Sequence, residues 1–258
     1  MDSLIEVDEA ARVRTITLNR PDRLNALNSA VLDALADEVR RVAEESKGIR
    51  CLVIRGAGDR AFSAGADLEE IRGLDADRAH AFIRRGHQAI NAIERSTVPV
   101  IAEVDGYALG GGFELMLACH VVIASDRSRF GLPEARIGCI PGFGGTQRLP
   151  RTVGKAAAFH LMLTGGRIDA DRAWQIGLLS VPPVPAAELR HEVETTARLI
   201  ASGSRTGLAN LLEAARRSTA GPALEHEAAL AALSIASVDG QEGITSFAER
   251  REPVFTEE

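Results

Sequence analysis

Cysteine is scarce here, and what there is lies scattered. Cys51, Cys119 and Cys139 are the only three in 258 residues, each in apolar company. They are too few and too far apart for a disulfide framework or a zinc site, and they read as buried free thiols in a reducing cytosol. Long basic stripes are also missing. With a net charge of -6, the electrostatic attraction that drives nucleic-acid binding has no seat. Long hydrophobic runs are missing too: Val121-Val122-Ile123-Ala124 is typical of those present, far short of a membrane span. The opening Met1-Asp2-Ser3-Leu4 has no basic n-region with an apolar core. The chain is therefore expected to be cytoplasmic, with neither nucleic acid nor membrane as partner.

Several chemical signatures are absent as well. His80, His87, His120, His160, His191 and His226 form no H-x-x-x-H pair and no metal-ligand spacing, so no metal is expected. No G-x-S-x-G elbow occurs, and nothing ties Ser63 to a histidine and a carboxylate. Gly56-Ala57-Gly58-Asp59-Arg60-Ala61 fits the loose dinucleotide fingerprint, but a small-residue loop follows it where a Rossmann unit needs a helix. A hairpin-like surface turn is expected there.

What is present is an ordinary globular composition, 45% hydrophobic and 26% charged, long enough to bury a substantial core. Val13 to Leu18 reads as a strand, and Val31, Leu32, Leu35, Val39 and Val42 repeat at helical spacing. Strands are expected at Cys51–Ile54, Val100–Val104 and Val121–Ala124, with a helix over Ala79–Ile93. Strand and helix alternate, which argues for an α/β layered core. After Gly154 nearly all of the chain reads as helical. Pro182-Pro183-Val184-Pro185 serves equally as a linker or a stiff surface turn.

Two loops carry the chemistry. Gly106 to Leu115 places Gly110, Gly111 and Gly112 after a strand and before an apolar helix. Glycines there either uncover N–H groups at a helix N-terminus, where an oxygen turning negative is stabilised, or simply allow close packing on a sheet. Ala61 to Leu68 is a second small-residue run before a helical segment, so two loops could face one carbonyl. Glu114 follows the glycines directly, and Glu134 sits in the turn-rich Gly131-Leu132-Pro133-Glu134.

These blocks, together with Phe130 to Leu149, resemble the crotonase (enoyl-CoA hydratase/isomerase) superfamily. Asn19-Arg20-Pro21, Leu24 to Leu27, Leu163 to Gly166 and Ala173 to Leu178 carry the likeness through essentially the whole chain. The resemblance implies an α/β, ClpP/crotonase-like spiral of ββα units forming two roughly perpendicular sheets. Residues 1–195 would hold the core with the coenzyme A site, and residues 196–258 a C-terminal helical trimerisation region. It implies homotrimers or hexamers, and no cofactor beyond the coenzyme A carried by the substrate.

By the same resemblance, the amides of Ala66 and Gly111 form an oxyanion hole for a thioester. Glu114 positions and activates water at the β carbon, Glu134 exchanges a proton at the α carbon, and the Gly142 amide helps hold the water. The substrate handle runs along Arg23, Leu24 and Ala26 and along Ala64, Asp67 and Leu68, beside Gly110 and Pro133, with Arg23 near the phosphates. Phe247 and Arg250 correspond to positions that reach a neighbouring subunit's coenzyme A. The implied activity is reversible hydration of a trans-2-enoyl-CoA in fatty-acid or amino-acid breakdown; isomerisation or dehydration of a specialised acyl-CoA is the alternative.

Three positions depart from the family pattern: Phe143 stands where alanine is common, His120 where aspartate is, and Asp105 where asparagine is. Phe143 is expected to shorten or reshape the acyl pocket, which bears on substrate length. Some relatives bind RNA through a lysine-rich helix. Here Asn28 to Glu45 has no lysine and carries Asp33, Asp37, Glu38, Glu44 and Glu45, so RNA binding is not expected.

Overall fold

The structure is a computed structural model describing residues 3–44, 48–203, 205–216, 231–233, 235–236 and 238–251. Strand β1 (Ile5–Ala10) pairs antiparallel with β2 (Val13–Leu18), and α1 (Ser29–Glu44) follows. Three repeats come next. The first is β3 (Cys51–Gly56), β4 (Ala61–Ser63), the short α2 (Leu68–Ile71) and α3 (Ala76–Glu94). The second is β5 (Val100–Val104), β6 (Tyr107–Leu109) and α4 (Gly111–Ala118). The third is β7 (Val121–Ala124), β8 (Arg129–Gly131), a 3-10 turn at Pro133–Ile137 and α5 (Gly145–Thr164).

Each repeat gives one strand to each of two sheets, ordered β1-β2-β3-β5-β7 and β4-β6-β8 with β9 (Arg167–Asp169) at its edge. Strands β2-β3-β5-β7 and β4-β6-β8 run parallel, as crossovers through helices require. This is the ββα spiral implied by the resemblance. Further helices among the described residues include α6 (Ala170–Gln175), α7 (Leu189–Ala201), α8 (Arg205–Arg216) and α9 (Val238–Glu249).

The central strands are apolar throughout because both faces are covered. Leu52, Ile54, Val100, Ala102 and Val104 face the main core with α1 and α3. The alternate residues Cys51, Val53, Ile101 and Ile123 meet Leu189, Val193, Ala197 and Ala201 of α7. Truncating Leu52, which is wholly buried, would cost about 2–5 kcal/mol. The division drawn between residues 195 and 196 falls inside α7. None of the three cysteines is in a disulfide, and burial pushes the Cys51 thiol up to about 12.

Several expectations need correction. The turn at Gly56–Arg60 is no hairpin: it joins β3 to β4 in different sheets, and Ala61-Phe62-Ser63 is strand rather than loop. Strands β1 and β9 went unread because β1 is almost wholly exposed, its brief Ile5/Val7 alternation ending at Asp8-Glu9, and β9 is only three residues long. Helix α5 begins well before Ala156 and is two helical segments meeting at Gly154, whose φ of 77° breaks the helix. Of the two readings of the proline stretch, the surface turn holds: the Val184 amide donates to the Ala124 carbonyl and its own carbonyl accepts from the Asp126 amide. The α1 carboxylates are mostly neutralised, Asp33 by Arg85, Asp37 by Arg40, and Glu38 by Arg14 and Arg41. Glu45 lies outside the described residues.

Candidate active site

The N-terminal loop is held in an unusual backbone conformation. Leu24 and Asn25 both have positive φ, 51° and 54°, a region non-glycine residues seldom occupy. The buried Asn25 side chain holds the loop there: its Oδ1 accepts from the Arg20 amide, and its Nδ2 donates to the Ala57 and Ala61 carbonyls at 2.9 and 2.7 Å. The loop then lies beside the segment after β4. The Leu27 amide donates to the Gly65 carbonyl, and the Asp67 amide donates back to the Leu27 carbonyl. In such a parallel bridge the residue between the two bonded ones turns its own N–H the other way. That residue is Ala66.

On the far side of Ala66 stands the start of α4. Gly65, with φ 104°, brings its backbone so close that an added Cβ would sit 2.8 Å from the Leu109 oxygen and 3.0 Å from the Gly111 nitrogen. A Cβ on Gly111 would lie 3.3 Å from the Ala66 nitrogen. Among the described residues neither the Ala66 nor the Gly111 amide donates a hydrogen bond within the chain. Both line one cavity of about 900 Å³. Two uncovered donors therefore face one small volume, one of them carrying the positive end of α4. The glycine run serves both readings made of it: a Cβ on Gly112 would strike Ser63 at 2.3 Å, so Gly112 packs α4 onto β4, while Gly110 and Gly111 border the cavity.

The carboxylates approach this volume from two sides. Glu114, in the first turn of α4 and 1% exposed, has its Oε1 held by the amides of Phe143 (2.8 Å) and Gly145 (2.7 Å). Those amides belong to the turn into α5, so the carboxylate fixes the loop that carries Gly142. Glu134 projects from the 3-10 turn, its Oε1 2.9 Å from where a Gly110 Cβ would stand. Two amide donors with two carboxylates in one partly apolar cavity can stabilise a developing oxyanion while protons move beside it.

The cavity has two ends. Its mouth carries exposed Arg23, whose Nη1 bonds Glu69 Oε1 at 2.6 Å, and that hydrogen bond raises the Arg23 pKa further. Exposed Arg136, and Arg167 stacked over Tyr107 at 5.4 Å, lie on another wall. Its interior ends among buried Ile71, Phe82, Ile83, Phe143 and Ile235.

A family model described as enoyl-CoA hydratase/isomerase matches residues 8–258. The chain belongs to the enoyl-CoA hydratase/isomerase family. It is 40% identical to a probable enoyl-CoA hydratase of Mycobacterium bovis over 98% of this chain and 97% of that protein. It is 38% identical to a crotonyl-CoA hydratase of Syntrophomonas wolfei over 97% of each. A crystal structure of an enoyl-CoA hydratase from Mycobacterium avium subsp. paratuberculosis superposes with a TM-score of 0.89 at 32% identity, covering 98% of this chain and 99% of that one.

Of the site residues expected from sequence, all but Arg250 line the cavity. Phe247, expected to reach a neighbouring subunit, lines the cavity of its own chain, because α9 folds back beside the Pro133–Ile137 turn. Of the departures, His120 is a structural residue whose Nδ1 accepts from the Val100 amide at 3.0 Å. Asp105 accepts from Arg127 at both oxygens and from Ser125; burial raises its pKa, but these bonds outweigh it and hold the carboxyl below its ordinary value. Sequence reading covered Gly65 and Glu69 only within the stretches Ala64–Leu68 and Ala66–Leu74, and missed Gly86 altogether. Gly86 had a signal, since a glycine inside an apolar helical pattern ordinarily has a packing reason.

Proposed function

We propose that the protein is an enoyl-CoA hydratase that adds water across the double bond of a trans-2-enoyl-CoA to give a 3-hydroxyacyl-CoA. The observation that carries this reading is the meeting of two undonated amides, Ala66 and Gly111, with the glutamates 114 and 134 around one cavity. The thioester oxygen lies against the two amides. Water held by Glu114, Glu134 and the Gly142 amide gives a proton to a carboxylate as its oxygen bonds the β carbon. The π electrons move toward the thioester oxygen, whose enolate charge the amides stabilise, and a carboxylic acid returns a proton to the α carbon. Net, one water is added, and a proton passed from the Glu114 carboxylic acid to the Glu134 carboxylate returns both glutamates to their starting state. Each amide donor is worth roughly 3–4 kcal/mol at the transition state. Glu114 acts mainly on the water and Glu134 mainly on the α carbon.

The substrate handle runs past Leu24 to Ala26 and Ala64 to Leu68 to the mouth, where Arg23 meets the phosphates. No cofactor is needed beyond the coenzyme A that arrives with the substrate. The reading carries with it a homotrimer or hexamer in the cytoplasm. Large exposed apolar side chains at Phe159, Leu163, Trp174, Leu199 and Leu211 support a subunit interface. Among the described residues no helix is long and apolar enough to cross a membrane.

The test is loss of the conjugated enoyl-thioester absorbance when the protein meets crotonyl-CoA, beside Glu114→Gln and Glu134→Gln. Rapid loss that both variants abolish is the expected result. No loss with crotonyl-CoA or longer enoyl-CoAs would overturn the reading in favour of isomerisation or dehydration of a specialised acyl-CoA.

A further inference from the structure

The ring of Phe143 is gripped between two glycines. A Cβ on Gly86, in the middle of α3, would stand 2.2 Å from two ring carbons, and a Cβ on Gly111 2.8 and 2.9 Å from two others. The third neighbour is Phe82, its ring centroid 5.7 Å away at 45°. Glycine is a poor helix residue, and Gly86 has no positive φ that would demand it. Its only evident reason is room for this ring. On the other side of the loop, Gly142 lies so close to Ile83 and Ala231 that a Cβ would meet them at 2.6 and 3.0 Å. The inner end is thus closed by the buried Phe82 and Ile83 of α3, by the 142–143 loop and by the buried side chains of Ala231 and Ile235.

We propose that Gly86 and Phe143 are a matched pair that closes the acyl end of the cavity and restricts the enzyme to short 2-enoyl thioesters. This deepens the hydratase reading and rests on it. Phe143 lies directly beside both reacting regions: its amide holds Glu114 and its ring abuts Gly111, the oxyanion donor. An acyl chain that extends past the β carbon meets the ring within a few bonds. The ring cannot retreat while Gly86 and Phe82 are in place, because packed interiors leave no spare volume. Phe143 alone would not predict this, since an aromatic ring with free space behind it can swing aside; Gly86 supplies the seat that fixes it.

The experiment measures calorimetric binding of the saturated butyryl-CoA and dodecanoyl-CoA, so that the result stands apart from turnover. The proteins are wild type, Phe143→Ala, Gly86→Ala and the double variant, each with a melting curve, and crotonyl-CoA hydration is assayed in parallel. An open pocket would gain affinity from about eight further methylenes. The closed one is expected to bind dodecanoyl-CoA no more tightly than butyryl-CoA. Phe143→Ala should favour dodecanoyl-CoA by about 10- to 100-fold over wild type. Gly86→Ala should weaken butyryl-CoA binding, and adding Phe143→Ala should restore it, because the clash needs both side chains. Tighter wild-type binding of dodecanoyl-CoA, an unchanged preference in Phe143→Ala, or a Gly86→Ala defect that persists in the double variant would each overturn the pair. Failure to hydrate crotonyl-CoA with the binding pattern intact would instead sink the hydratase reading and leave the closed pocket standing.

Discussion

The two ends of the cavity are built by different means. At the inner end the decisive groups are backbone amides and a carboxylate that other amides hold in place, all set by glycine contacts closer than any side chain tolerates. At the mouth they are long charged side chains in water, Arg23 on Glu69 with both more than half exposed. Fixed dipoles in a desolvated volume act strongly on a developing charge and cost no reorganisation when it appears. Exposed ion pairs are screened and exchange partners at little cost. The inner end is therefore suited to chemistry, and the mouth to holding a mobile, charged handle.

Substitutions should break this contrast in a definite order. Glu114→Gln keeps the shape but removes a proton acceptor, and should lower kcat for crotonyl-CoA by about 10²- to 10⁴-fold with little change in KM. Gly111→Ala puts a methyl group between the two amides and against Phe143, and should lower kcat by about 10²- to 10³-fold, the scale of one lost oxyanion donor. If either left kcat unaltered, the assignment of the inner end to chemistry would fall.

At the mouth, Arg23→Ala should leave kcat unchanged and raise KM by only about two- to five-fold, an effect that shrinks as salt is added. A loss of kcat comparable with that of Glu114→Gln would erase the distinction between the ends. The smallest expected effect lies away from both, at Asp105 beside Arg127. Its folded pKa is depressed, so its stabilising contribution is fully present above the unfolded value near ~3.9 and is lost as pH falls through the lower folded value. Asp105→Asn should therefore lower stability at pH 7 by about 0.5–1 kcal/mol, discounted for exposure. In melting curves the gap should close only below roughly pH 4; a gap that persists at lower pH would show that charge is not its origin.

How much of this was legible in the sequence varied with the kind of signal. Strands β2, β5 and β7 were readable because burial writes an apolar pattern into them, whereas β1, β4 and β9 are too exposed or too short to carry one. The two glutamates and the glycine run stood out by type and order. Arg250 lies outside the cavity of its own chain while Phe247, though 60% exposed, lines it, a placement set by the packing of α9 against contacts distant in sequence. Gly86 passed unnoticed: its meaning lies in Phe143, and no local period connects the two.

The sequence by itself determined the alternating elements, the carboxylates available for proton transfer and the places where backbone must come close, since burial periodicity and glycine content are local properties. Only the tertiary structure decided that the amides of Ala66 and Gly111 face one another, that Gly112 packs while Gly111 serves the cavity, and that a glycine in α3 seats the ring beside the acyl end. These depend on the register of β4 against β6 and on the bridge between Leu27 and Ala66. Non-local contacts of that kind arise from the joint packing of the whole core, and no single segment encodes them.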